Sequence, residues 1–469
     1  MRDVGITILP EFFQNEGVEA VLDNVVARAG ATAIATSPYV MEPSPEGQGS
    51  REPPADAGAG KVRLLDRPLW GRRELWVRTA PSYAPDDRLY AGLRYQPAAP
   101  TALTEREGGV VAAAIRAARQ RGLQTQLQVQ AAIPPGYRVQ FGGPVEEDRP
   151  ALPDGQSPGG RVDNNGSLAS PHVLAYTQAL LRDLARAYPE VDAIRIDWPE
   201  YPPYSFDSVF FDFSGHAATA MTAMGFDVER MRRDVAALRI RLARHAAEGR
   251  LGGGDAWSLL VRDMADLPGS LDWLNAKARI VTQFIASCQE ALREESGGRI
   301  ALMPQAFPHP FALLSGFDYA AVARLGVPAI GSKLYTMHWP MMVRVHGEEI
   351  AALAQDADRN RLGADIGSFF DLSERPGDYG ALDGVNYPEP DERHPAGAKS
   401  QARKIRTAQA QAGDVPVYAF AHGYGPLDDM RERCAIAFEA ARGRIWMNRY
   451  AYLSDAKLDA IGSVTGAGR

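Results

Sequence analysis

Asp197 and Glu200 stand three residues apart in the run Asp192-Ala193-Ile194-Arg195-Ile196-Asp197-Trp198-Pro199-Glu200-Tyr201-Pro202. Two neighbouring carboxyl groups can divide one task. One donates a proton while the other attacks a carbon or activates water. The donor must keep its proton near neutral pH, which burial or a like-charged neighbour achieves. Trp198 and Tyr201 flank the acids, and an aromatic ring offers a flat apolar face with a polar edge. That set suits a sugar ring and cleavage of a glycosidic bond. On this reading Glu200 is the general acid. Asp197 is its partner, as nucleophile, base or orienter, and Arg195 holds the pair in place.

The elements that position these groups can be read from the same run. Side chains alternate along a strand, so Ile194 and Ile196 share one face while Arg195 and Asp197 share the other. Apolar residues outside and charges inside suit a small parallel barrel, which packs helices outside and gathers functional groups at the carboxyl ends of its strands. Pro199 ends the strand, since it cannot donate to a ladder. The segment 123–130 repeats the pattern, with Gln124, Gln126, Gln128 and Gln130 on one face. Buried amides need partners, so a polar network including Arg195 is expected inside.

Strand-like and helix-like segments alternate along the whole chain. Strands are expected at residues 4–9, 32–36, 123–130, 192–197, 299–303, 329–334, 415–420 and 443–448. Helices are expected between them, including one opened by Thr104-Glu105-Arg106-Glu107 read as a capping box and one opened by Ser170-Pro171. Short β-like runs at 74–78 and 89–95 fall in a Pro/Gly-rich insertion. The fold class is therefore α/β, a single elaborated (β/α)8 barrel over 1–469 with insertions at about 41–100, 134–170, 203–270 and 363–395. An open doubly wound sheet lacks support, because no glycine fingerprint follows the first strand.

Other polar groups gather near strand ends. Glu11 follows the first strand with the parity of Thr7 and Leu9. Gln305 and His309 follow the fifth, and Lys333, Tyr335, His338 and Trp339 the sixth. His422 follows the seventh and Asn448 ends the eighth. Such groups can bond sugar hydroxyls, and Trp198, Tyr201, Tyr335 and Trp339 can line sugar subsites. Glu11, Asp371 and Glu374 are the candidates for a further carboxylate, whereas Asp318 reads as a loop or helix-start residue.

The chain has 469 residues, 45% of them hydrophobic, and a formal charge of −7. No basic tract would track phosphates, so nucleic acid is not an expected partner. No apolar run is long enough to span a bilayer, and residues 1–9 enter a strand at once, so a cytoplasmic chain without membrane contact is expected. Cys288 and Cys434, the two cysteines, fall in helix-like patterns and read as buried thiols. Nothing in the composition calls for a cofactor or metal. A carbohydrate is the expected partner, and a homo-oligomer is left open.

The run 192–202 resembles the strand-four signature of chitinase-type glycosidases, Asp-Gly-x-Asp-x-Asp-Trp-Glu-Tyr-Pro. The resemblance implies a barrel in which Glu200 is the proton donor and Asp197 orients the substrate. Arg195 stands where the signature has its middle aspartate, and Pro199 is inserted before the glutamate. In the sixth segment, Lys333-Leu334-Tyr335-Thr336 lacks the aspartate of that family's Met-x-Tyr-Asp. Two rivals share the layout. A metal-dependent sugar isomerase or epimerase could draw ligands from Glu11, Asp197, Glu200, His309 and His422. A non-catalytic carbohydrate-binding barrel needs no acid at all.

Overall fold

The computed structural model describes residues 2–54, 63–138, 142–159, 164–374 and 378–466. Eight strands form a closed parallel barrel. They are β1 (Asp3–Thr7), β2 (Ala33–Thr36), β3 (Gln124–Gln130), β4 (Ala193–Asp197), β5 (Ala301–Ala306), β6 (Ile330–Leu334), β7 (Val417–His422) and β8 (Arg444–Asn448). Each pairs with its neighbours in sequence, and β1 closes the ring on β8 with Thr7 opposite Asn448. Helices separate the strands, as the expected (β/α)8 architecture requires. No described helix is long and apolar enough to cross a membrane.

The period of two sorts the strand residues into two cores. Ile6, Ile34, Leu127, Ile194, Ile196 and Ile445 face outward into one large apolar core shared with the helices. A separate small cluster of Ala33, Ala35, Met303, Ala329, Phe420 and Trp446 lies inside the ring. Trp446 fits because β1 carries Gly5 beside it. A Cβ on Gly5 would lie 2.3 Å from the indole Cδ2.

The interior also holds the expected polar network. Arg195 Nη2 donates to Thr7 Oγ1 at 2.8 Å and to Gln128 Oε1. Its guanidinium carbon lies 4.8 Å from the ring centre of Phe420 and 4.6 Å from that of Trp446. Burial pulls Arg195 down to about 10.

The loops beyond the strand ends carry the insertions, parts of which lie outside the described residues. Tyr39–Ser44, Ser50–Glu52 and Leu75–Pro81 form a three-stranded antiparallel sheet above β2, with the last of them in the centre. After β4 come the helices Phe206–Val209, Gly215–Ala223, Val228–Ala247 and Ala256–Asp266, then the long helix Gly269–Ser296.

Several local expectations are corrected. The run 89–95 is not a strand, and Asp87–Tyr90 is one helical turn. The capping box belongs to Thr101, which accepts from Leu103 N, with Thr104 as its reciprocal partner. Strand β5 extends to Ala306 through Pro304, because its ladder to β6 begins only at Gln305 opposite Gly331. The missing proline donor is thus tolerated. The helix Arg359–Phe369 occupies the start of the region read as irregular. Ser170 caps the helix Pro171–Ala187 as expected, accepting from His172 N and Val173 N. Asp318 caps Tyr319–Arg324, and Cys288 and Cys434 are buried thiols.

Candidate active site

Asp197 closes β4 facing inward, at the carboxyl end of the barrel, and stays 7% exposed. Its Oδ1 accepts the amide of Trp198 at 3.0 Å. Trp198 adopts φ 54, a left-handed conformation that costs a bulky residue about 1–2 kcal/mol. Stored strain of this kind persists where surroundings over-determine it, and sites are such places. The turn redirects the chain between Asp197 and Glu200.

Lys333, inward on β6, joins them. Its Nζ lies 2.8 Å from Asp197 Oδ1 and 3.4 Å from Glu200 Oε1. The ammonium sits 4.7 Å from the ring centre of Phe307 and 5.7 Å from that of Trp198. Lys333, not Arg195, therefore bridges the two acids, and the hydrogen bonds of Arg195 go to Thr7 and Gln128 below.

Glu200 is fully buried. Its Oε1 accepts the amide of Phe307 at 2.9 Å, and its Oε2 accepts the Ser315 hydroxyl at 2.6 Å. Burial pushes its carboxyl up, against Lys333, Ser315 and the Phe307 amide, which all favour the charged form. Both oxygens are taken by donors, so this group is built to accept. It anchors Lys333 and the loop after β5. Tyr201 is buried too. Its hydroxyl donates to Asp212 Oδ2 at 3.0 Å and accepts from Leu168 N, beneath the loop after β4.

A polar rim continues around the barrel from β5 to β8. Gln305 is fully buried and in register with Asp197, and neither amide atom has a hydrogen bond among the described residues. Asn448 Nδ2 donates to Tyr335 Oη at 3.2 Å. The Tyr335 ring stands 5.7 Å from His422 and 5.8 Å from His338. Nδ1 of His422 accepts the Tyr424 amide at 3.1 Å, so its proton belongs on Nε2. Burial, then the charges of Arg63 and Arg449, hold this imidazole neutral, well below its usual range. Trp198, Tyr204 and Phe307 continue the wall edge to face, at 5.8 and 5.3 Å.

Glu11 lies in the short helix Pro10–Glu16 above β1 and is fully buried. Tyr39 donates its hydroxyl to Oε2 at 3.0 Å, and Arg138 lies 3.8 Å from Oε1. Arg138 also pairs with Glu52 at 2.7 Å. Burial, the largest influence, raises Glu11 to about 7 despite Arg138, and Glu52 adds to the rise. Tyr39, Glu52, Arg138 and Arg449 were not singled out from sequence. The charge of Arg449, next after Asn448, is felt at Tyr39, Tyr335 and His422, which links the Glu11 cluster to the β6–β8 rim.

No protein-family model matches the chain, and no curated protein does. Among solved structures, it is similar to the PgaB (BpsB) glycoside hydrolase domain from Bordetella bronchiseptica. Identity is 11%, the TM-score 0.50, and 98% of each chain is covered. It is also similar to beta-galactosidase from the psychrophilic Marinomonas ef1, at 12% identity and a TM-score of 0.51. That match covers 98% of this chain and 59% of that one. The likeness is one of fold.

Other residues read as site candidates lie elsewhere. His309 Nε2 meets Gln411 Oε1 at 2.6 Å, and its carbonyl accepts from Lys404. The Trp339 ring also packs on Lys404, at 5.5 Å. Both belong to the helical layer. Asp371 pairs with Arg403, and Glu374 accepts the Lys399 amide at a helix start. Among the described residues no three His, Cys, Asp or Glu side chains are placed to hold an ion, so Glu11, Asp197, Glu200, His309 and His422 do not converge as ligands.

Proposed function

We propose that this protein hydrolyses a glycosidic bond at the carboxyl end of its barrel, with Asp197 and Glu11 as the working carboxyls. The observation that carries the reading is the contrast between them. Asp197 is paired with an ammonium at 2.8 Å, whereas burial raises Glu11 to about 7. A carboxyl raised by burial can serve as the acid while a second, fixed beside a cation, serves as base or nucleophile. Glu11 hands its proton to the leaving oxygen from Oε1, which makes no hydrogen bond among the described residues. Asp197 acts on the other side of the sugar, on the anomeric carbon or on a water.

The remaining groups orient and shield. Lys333, fixed from behind by Glu200, holds Asp197 in one rotamer. Trp198 and Phe307 give the ring an apolar wall. Gln305, Asn448, Tyr335 and the Nε2 proton of His422 offer hydrogen bonds to hydroxyls. The same barrel carries a glycoside hydrolase domain and a beta-galactosidase in other chains, which supports the reading at the level of fold only.

The test is turnover of a panel of nitrophenyl glycosides by the wild type, Asp197→Asn and Glu11→Gln. Each variant should lose about 10²–10⁴-fold in kcat, the usual worth of a positioned acid or base. Near wild-type turnover in either would overturn the assignment of that residue. In a sugar complex, carboxyls about 5–5.5 Å apart would mean retention and about 6.5–9.5 Å inversion.

A further inference from the structure

The amino end of the barrel is hollow. The lowest inward positions of a barrel are commonly filled by bulky branched side chains. On β2, β4 and β5, and just before β6, they are Ala33, Ala193, Ala301 and Ala329, and a cavity of about 330 Å³ takes the place of the missing side chains. It lies at the opposite end of the strands from Asp197. Met303 and Trp446 line it as well.

Its polar lining is one-sided. Asp3 and Asp192 contribute carboxylates, and among the described residues no Lys, Arg or His lines it, although Arg444 stands opposite Asp3 in the β1–β8 ladder. Asp192 is already satisfied by Arg119 and by the amide and hydroxyl of Thr125. Asp3 accepts only the Tyr418 hydroxyl, at 3.0 Å, and has no ion pair among the described residues. Gln126 is more than nine-tenths buried, and its Oε1 has no hydrogen-bond partner among the described residues. A buried acceptor without a donor costs free energy until something supplies one.

We propose that this cavity binds a small organic ammonium ion. The charge would rest on Asp3, an N–H on Gln126, and the apolar body against Met303 and the indole of Trp446. A carboxylate beside low-dielectric walls favours a cation, and an aromatic face adds to that preference. A neutral ligand of the same shape would forgo the direct charge pairing with Asp3.

Benzylamine is the probe and benzyl alcohol its neutral counterpart, titrated calorimetrically into the full chain. Benzylamine should bind one to one, about ten-fold more tightly than the alcohol, as one charge-assisted contact allows. Asp3→Asn should remove that preference and leave the alcohol unchanged. Ala301→Leu should fill the cavity and abolish both. The near-isosteric Asp3→Asn keeps the test decisive if the leucine variant fails to fold. Equal affinity for the two probes, no heat of binding, or benzylamine binding untouched by Asp3→Asn would each overturn the proposal.

Discussion

Lys333 on β6 and Asp197 on β4 meet across β5, Nζ to Oδ1 at 2.8 Å. Neither is within reach of the other in sequence, and both are almost completely buried. The contact is sound only because Glu200 supplies a second negative charge behind the ammonium. Removing one member of a buried ionic group leaves the others uncompensated, at about 3–5 kcal/mol. Lys333→Met should therefore lower stability by about that much in urea titrations and cut turnover as well. A stability change below about 1 kcal/mol would mean that the triad is solvated.

Glu200 and Asp197 should separate kinetically. Glu200→Gln leaves the Phe307 amide and Ser315 partly satisfied but weakens the grip on Lys333. The expectation is a modest fall in kcat with the shape of the pH profile retained. If Glu200 were the proton donor, the limb of that profile at higher pH would vanish in Glu200→Gln instead. The kcat–pH profiles of the two single variants decide between these roles.

Glu11 should set that limb. Its folded pKa, about 7, lies above its ordinary value of 4.5, so the folded chain holds a proton that the unfolded chain releases. An acid catalyst is active while protonated, so turnover should fall as pH rises through about 7. The linked stability has the same sign. Its contribution is complete below 4.5 and is lost as pH rises to about 7. Glu11→Gln should be nearly inactive and should flatten the decline in stability between those two values. An unchanged decline in the variant would assign it to another group.

The barrel was legible because strand alternation is a strong local signal. It placed Asp197 on the inner face and put Lys333, His422 and Asn448 at or just past strand ends, and all four are strand residues. Legibility stops one residue beyond the strand. The left-handed turn at Trp198 sends Glu200 and Tyr201 beneath the loop, and no period predicts such a turn. His309 and Trp339 are set by Gln411 and Lys404, some 100 and 65 residues away in sequence. The Glu11 cluster needs Tyr39, Glu52 and Arg138 from three separate segments, so only Glu11, adjacent to a strand, gave a signal.

Gly5 and Trp446 test the interior packing independently of any chemistry. The backbone of Gly5 is ordinary strand, so alanine meets no conformational penalty there. The penalty is steric, since its Cβ would fall 2.3 to 2.5 Å from three indole carbons. Overpacking a filled core costs about 1–3 kcal/mol. Gly5→Ala should lose about that in urea titrations, with the slope of the unfolding transition unchanged. The indole also stacks on Phe420 at 5.8 Å and covers the Arg195 guanidinium, so a forced shift of Trp446 should disturb Arg195 as well. The double variant Gly5→Ala, Trp446→Leu should therefore be less destabilised than the sum of the two single variants, because leucine vacates the space that the new methyl enters. Strict additivity would show that the methyl is accommodated by movement of β1 and not by the indole.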